Sequence, residues 1–204
     1  RYQIRSLLNS FLLQYPMVQV EMELTSRRVD VLHDDIDLAI RTNFQANEDS
    51  SIVVRDIVKT THCLVASPAL LQGRTLQFAT EISEFPSIVL GTQKNHYQWT
   101  LHHQQHDEEL VIPLEPRVKS NDLAGVYYSV LDGLGIADLP YLTVEKDIAE
   151  GRLVHILPEW CSNVGTVQLV YASRKGQRLV MEKLIQHLVD GLRGQATQSQ
   201  GYLN

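Results

Sequence analysis

His102, His103 and His106 stand close together, and metal ligation is the first chemistry their spacing suggests. On a helix, His102 and His106 would share one face, as paired zinc-binding histidines do. Their flanks argue otherwise. Tyr97-Gln-Trp-Thr-Leu and Leu110-Val-Ile-Pro-Leu alternate with the two-residue period of strands. The pattern predicts a hairpin with HHQQHDEE as a solvated tip, and neither an HExxH motif nor a second ligand pair accompanies it. Gly133-Leu-Gly135 resembles the opening of a dinucleotide fingerprint, but Asp138 occupies the third glycine position and the run precedes a strand instead of following one. Neither a GxxxxGK[ST] phosphate loop nor a GxSxG nucleophile elbow occurs. Asp34, Asp35 and Asp37 read as caps and solvated charges at a helix-to-strand junction. The expectation is no metal, no cofactor and no enzyme.

Two cysteines in so long a chain, without a CxxC pair, suit a reduced cytoplasmic protein. Cys63, inside the apolar run HCLVA, reads as a packed small hydrophobe. Cys161, after Trp160 in a predicted loop, is the better candidate for a reactive thiol. A net charge of −6 argues against a phosphate-binding surface, so this chain should not hold DNA by itself. No stretch is apolar for the roughly 18 residues of a membrane span, and no signal segment opens the chain.

What remains is a set of polar groups at predicted strand ends: Arg41, Thr42, Asn43, Lys59, Ser67, Gly91, Thr92, Asn121 and Asp122. In an open α/β sheet, ligands bind at such ends. Asn121 and Asp122 also open a helix, whose free N–H groups favour an anion, although Asp122 could fill that role as the cap. These nine residues are the candidate small-molecule contacts.

The elements that must position them follow from periodicity. Ile4, Leu7, Leu8, Phe11, Leu12 and Tyr15 have helical spacing over 2–15. Val18, Val20, Met22 and Leu24 alternate with polar residues and predict a strand; Asp35 to Ile40 predicts another. Residues 51–68 carry two β-rich runs ended by Ser67-Pro68. Short strands are expected at 87–90, 117–119, 135–140, 153–157 and 166–172. Helices are expected at 123–132, 143–150 and 178–192, with a frayed tail over 194–204. Strands and helices alternate, so the class is α/β with mostly parallel sheets. Crossings near 65–68 and 164–166 divide the chain into a discontinuous first lobe (1–67 plus 167–193) and an inserted second lobe (68–166). A chain that opens on Arg1 and a helix reads as lacking a first strand.

Several ordered stretches resemble the effector-binding domain of LysR-type transcriptional regulators. They are F-L-L-Q-Y-P-x-V-x-V-E, R-x-V-D-V-L-x-D-D-I-D-L-A-I-R, S-S-I-V-V-R-D-I, L-V-A-S-P-A-L-L, S-N-D, D-G-L-G-I-A-D-L-P, G-R-L-V-H-I-L-P-E-W and L-V-Y-A-S-R. The resemblance implies two Rossmann-like lobes of periplasmic-binding-protein type II, with a hinge and a central cleft that takes a small-molecule inducer. It implies a homodimer or tetramer that sets the helix at 2–15 beside the helix at 123–132 of a partner. DNA would be bound only through a winged helix-turn-helix not included here. Lys59 falls where some members place a cationic ligand reader, which suggests an anionic effector. The second reading is a stand-alone periplasmic-type solute receptor.

Overall fold

The computed structural model describes residues 2–25, 29–43, 51–91, 97–162, 164–173 and 179–199. The chain forms two compact units, Arg1–Lys59 with Gly165–Asn204, and Thr60–Val164. The sequence expectation set the crossings near 65–68 and 164–166; the units part after Lys59, ahead of the first range, and after Val164, within the second. The reason lies in one strand. Residues 51–68 do not form two β runs but a single strand, β2 (Ile52–Ala66), which begins in the first unit and ends in the second.

The first unit holds α1 (Tyr2–Gln14), β1 (Ala39–Asn43), the start of β2, most of β10 (Val164–Ala172) and α5 (Leu179–Ser199). β1 lies antiparallel to β10, with Ile40 opposite Leu169 and Arg41 opposite Gln168. One face of these strands buries Ile57 and Leu169 against Ile185, Leu188, Val189 and Leu192 of α5. Ile4 and Leu7 of α1, at helical spacing, pack onto the same cluster. The two helices meet closely: a Cβ on Gly191 would stand 2.2 Å from Leu7 Cδ2. Beside that contact, Nε2 of His187 lies 2.9 Å from Ser10 Oγ and 3.0 Å from the Leu7 carbonyl.

Two expectations need correction here. Residues 18–25 join no ladder among the described residues, and Val20, Met22 and Leu24 are exposed. Alternation marks a two-faced segment, but a strand also needs a neighbour to pair with. The second concerns α5, which runs on to Ser199 through residues expected to fray. In addition, β1 starts at Ala39, later than expected, because Asp30 and Asp34 close a turn first. Asp30 accepts from the Leu32 amide and Asp34 from the Asp30 amide, and Asp35 takes a left-handed φ of 56°.

In the second unit the end of β2 is antiparallel to β7 (Ile136–Pro140). Beyond it come β3 (Ser87–Leu90) and β6 (Pro116–Ser120), with β3 parallel to both β6 and β7. β8 (Val154–Ile156) pairs with the other edge of β2. A second sheet comprises β5 (Glu109–Pro113), β4 (Gln98–His103) and β9 (Trp160–Cys161), in that order. Strand alternation sorts the core. Leu64, Ala66 and Ile136 face Trp99, Leu101 and Ile112 of the second sheet. Cys63, Val65, Ala137 and Leu139 face Val126 and Val130 of α3 (Leu123–Leu131) and Val144 of α4 (Tyr141–Ala149).

The two glycines of GLG have structural work. Gly133 ends α3 with φ 78°, while the Leu134 amide returns to the Ser129 carbonyl. Gly135 lets β7 approach the backbone of Pro86, where an added Cβ would lie 2.5 Å from the carbonyl oxygen. α4 begins directly after Pro140, two residues earlier than its predicted Thr143 start, since proline suits the helix entrance. Asp147 of α4 is buried and accepts from Tyr127 Oη at 2.9 Å and Arg152 Nε at 2.6 Å, tying α4 to α3.

Candidate functional site

The parallel ladder gathers some of the polar strand ends and separates others. In the second unit Leu90 lies opposite Ser120, so β3 and β6 finish together. The Gly91 amide donates to the Ser120 carbonyl at 2.7 Å, and Gly91 takes φ 113°, which glycine alone adopts without strain. Ser120 Oγ accepts from the Asp122 amide at 3.0 Å. Asp122 caps α3, accepting from the Ala124 and Gly125 amides, each at 3.1 Å. The carboxylate therefore occupies the anion position at this helix entrance itself. Asn121, between them, is exposed. Gly91, Ser120 and Asn121 form one polar edge beyond the carboxyl ends of two parallel strands.

Ser67 does not join that edge. It is buried at the other end of β2, where Oγ accepts from the Leu70 amide at 3.2 Å and caps α2 (Pro68–Leu71). Because β2 runs antiparallel to β7, its last residues lie beside the start of β7, and a Cβ on Gly133 would stand 3.1 Å from Ser67 Oγ. Its role there is a cap. Lys59 is exposed and is the last residue before the first crossing.

In the first unit Arg41 belongs to a polar row that crosses three strands. Its Nη2 donates to Gln168 Oε1 at 3.4 Å, and Gln168 Nε2 donates to Asp56 Oδ1 at 2.7 Å. Gln168, in the middle of the row, is only 8 % exposed, whereas Asp56 at its end is exposed. Thr42, next along β1, is exposed. The side chain of Asn43, and Thr92 as a whole, lie outside the described residues.

The histidine stretch forms a hairpin end. The His103 ring lies 4.5 Å from that of His106 and 5.1 Å, edge-on, from that of Trp160. Among the described residues no group of three or more His, Cys, Asp or Glu is placed to hold a metal. Cys161 is buried, and its thiol contacts the His102 carbonyl at 3.7 Å. Burial, and then the charge of Asp138, push both the Cys161 and the Cys63 thiols up.

Sequence reasoning missed one cluster, centred on Asp138 of β7. Its Oδ2 accepts from Ser162 Oγ at 2.6 Å and from His62 Nδ1 at 3.2 Å. The signal available in the sequence was the charged residue in GIADLP, inside an otherwise apolar strand.

Comparison with known proteins decides what kind of chain carries these edges. A profile described as the LysR substrate binding domain matches residues 1–193. The chain belongs to this family. It is 30 % identical to the HTH-type transcriptional regulator PtxR of Pseudomonas aeruginosa over 92 % of its own length and 61 % of the relative's. It thus spans about three-fifths of that protein. Its fold superposes on the regulatory domain of AphB from Vibrio vulnificus with a TM-score of 0.75, at 26 % identity and 91 % coverage of each chain. For the regulatory domain of CrgA from Neisseria meningitidis the TM-score is 0.78 at 22 % identity, covering 93 % of this chain and 91 % of the other, a likeness of fold. The fold is the two-lobed, type II periplasmic-binding-protein-like fold of LysR regulatory domains. These relatives are transcriptional regulators, which does not favour the stand-alone solute receptor.

Proposed function

We propose that this LysR-family domain senses a small-molecule effector and passes its presence to a DNA-binding segment outside the 204 residues. The observation that carries the reading is the family match over 1–193, joined to a polar strand-end edge on each unit. Gly91, Ser120 and Asn121 supply one set of contacts, Arg41 and Thr42 another, and exposed Lys59 a cation suited to a carboxylate-bearing effector. An effector shifts a conformational equilibrium only by its difference in affinity between the two states. Each polar edge supplies such a difference if its contacts are tighter in one state than in the other. As a regulator of this kind the domain works in the cytoplasm as a homodimer or tetramer, with α1 set against α3 of a partner. Leu13, 85 % exposed on α1, and Tyr128, half exposed on α3, suit that use. Leu13→Asp is expected to shift sedimentation toward monomer.

The test of effector sensing is a thermal-shift screen of small organic acids against the chain, repeated on Lys59→Ala and Asn121→Ala. A compound that raises the melting temperature is expected to lose most of that effect in both variants. A shift that survives both substitutions unchanged would contradict the proposed contacts.

A further inference from the structure

The cluster around Asp138 has a property that core packing does not require. His62 stands two residues inside the second unit after the first crossing, and Ser162 two residues inside it before the second. Far apart in sequence, both donate to the same carboxylate oxygen, Asp138 Oδ2. The Asp138 side chain is only 12 % exposed and that of His62 13 %, so water competes little for these bonds. A charge-assisted hydrogen bond in such surroundings is among the stronger single contacts a fold can make. Asp138 itself is fixed by its ladder: β7 runs between β2 and β3, with Asp138 opposite Leu64.

We infer that Asp138 is a positioning residue that pins both backbone crossings to the central strand of the second unit. Through it His62, near the start of β2 in that unit, and Ser162, after β9, are held to one carboxylate, so its removal releases both. Of the groups around the carboxylate, His62 comes from β2, Ser162 follows β9, and the Cys63 and Cys161 thiols lie within reach of its charge. Neither thiol donates to it; Cys63 donates to the Leu139 carbonyl and Cys161 to the His102 carbonyl. On the effector-sensing reading, on which this consequence alone rests, the pin makes the two crossings respond to a bound molecule as one joint.

The pin is tested without any effector, so its failure is separate from failure of that reading. Hydrogen–deuterium exchange would be followed on the whole chain in peptides covering 59–63 and 161–166, with peptides of α3 and α4 as the core reference. Asp138→Ala is expected to speed exchange at both crossings by about tenfold, the effect of losing a hydrogen bond to a charged group, and to leave the core reference unchanged. Ser162→Ala is expected to act at 161–166. The double variant Asp138→Ala/Ser162→Ala should match Asp138→Ala alone, since both remove the same bond. Wild-type exchange at either crossing in Asp138→Ala, or effects that multiply in the double variant, would overturn the inference. If Asp138→Ala loosens the core reference as well, His62→Ala/Ser162→Ala takes its place. That pair should free both crossings over an intact core, and unchanged exchange at either crossing would be equally decisive against the pin.

Discussion

Gly135→Ala probes the close approach that sets the second unit's sheet. The added Cβ would lie 2.5 Å from the Pro86 carbonyl oxygen, 3.0 Å from the Pro86 carbonyl carbon and 3.1 Å from Ile88 Cγ1. Two of those three atoms are backbone, so no side-chain rotation relieves the clash. An ordinary carbon–oxygen contact is about 3.4 Å, which requires the β3 and β7 backbones to separate by about 0.9 Å. The Ile136 amide donates to that same carbonyl at 2.9 Å, and the shift would stretch this bond beyond useful length. Overpacking costs about 1–3 kcal/mol and the hydrogen bond about 0.5–1.5 kcal/mol. The reduced freedom of the unfolded alanine chain returns about 0.4–1 kcal/mol. The net loss is about 2–3 kcal/mol, or a melting temperature lower by about 4–12 °C for a chain of this size. Both tryptophans, Trp99 and Trp160, lie in the second unit, so intrinsic fluorescence during urea unfolding reports on it directly. Gly194→Ala, inside α5 where a Cβ meets nothing within 4 Å, is the control and should leave stability unchanged or raise it by up to about 1 kcal/mol. A Gly135→Ala protein equal to the control would refute the packing argument.

Arg152→Ala leaves the Asp147 carboxylate, 4 % exposed, with Tyr127 in place of a cation, and should cost about 3 kcal/mol in chemical denaturation. Tyr127→Phe should cost about 1 kcal/mol, and equal losses in the two variants would contradict this ranking. Burial holds the His155 imidazole below its ordinary 6.5, so the fold prefers the neutral ring. Its contribution is complete above pH 6.5 and is lost as pH falls through the folded value; His155→Gln should flatten that decline, and an unchanged slope would count against it. Asp30 and Glu81, held below 3.8 and 4.5 by His33 and by the Phe78 and Gln77 amides respectively, lose their contributions only at more acid pH, which leaves pH 6.5 to 4.5 clear of both. With both thiols pushed up, Cys63 and Cys161 should react slowly with a disulfide reagent at pH 8 in the native chain and rapidly in guanidinium. Fast labelling of native protein would show the pocket around Cys161 to be open.

Much of the architecture could be read from residue order, because caps, glycines and periodicity are local. The α3 boundaries follow from Asp122 and Gly133, and the hairpin of β4 and β5 from alternation on either side of its polar tip. Some misses were local shifts of an element's end, as at the start of α4; the larger ones were long-range. Nothing in 51–68 says that β2 is one continuous strand across a unit boundary, and nothing in 18–24 says whether a ladder partner is present. Candidate contacts divided the same way. Gly91 and Asn121 share an edge because parallel register aligns the ends of β3 and β6. Ser67 belongs to the opposite end because β2 is antiparallel to β7, a fact of topology that no short window contains. The Asp138 cluster stayed hidden for the same reason, since its three members are distant in sequence.

The central claim, that a small molecule is read by the polar strand ends, is tested most directly by an exchange footprint. A compound that raises the melting temperature would be added at saturation and protection mapped along the chain. Slower exchange is predicted at 59–62, at 90–91 and at 120–124, with a further signal at 41–42. Protection confined to the hairpin tip at 103–108 or to α5 would contradict the account.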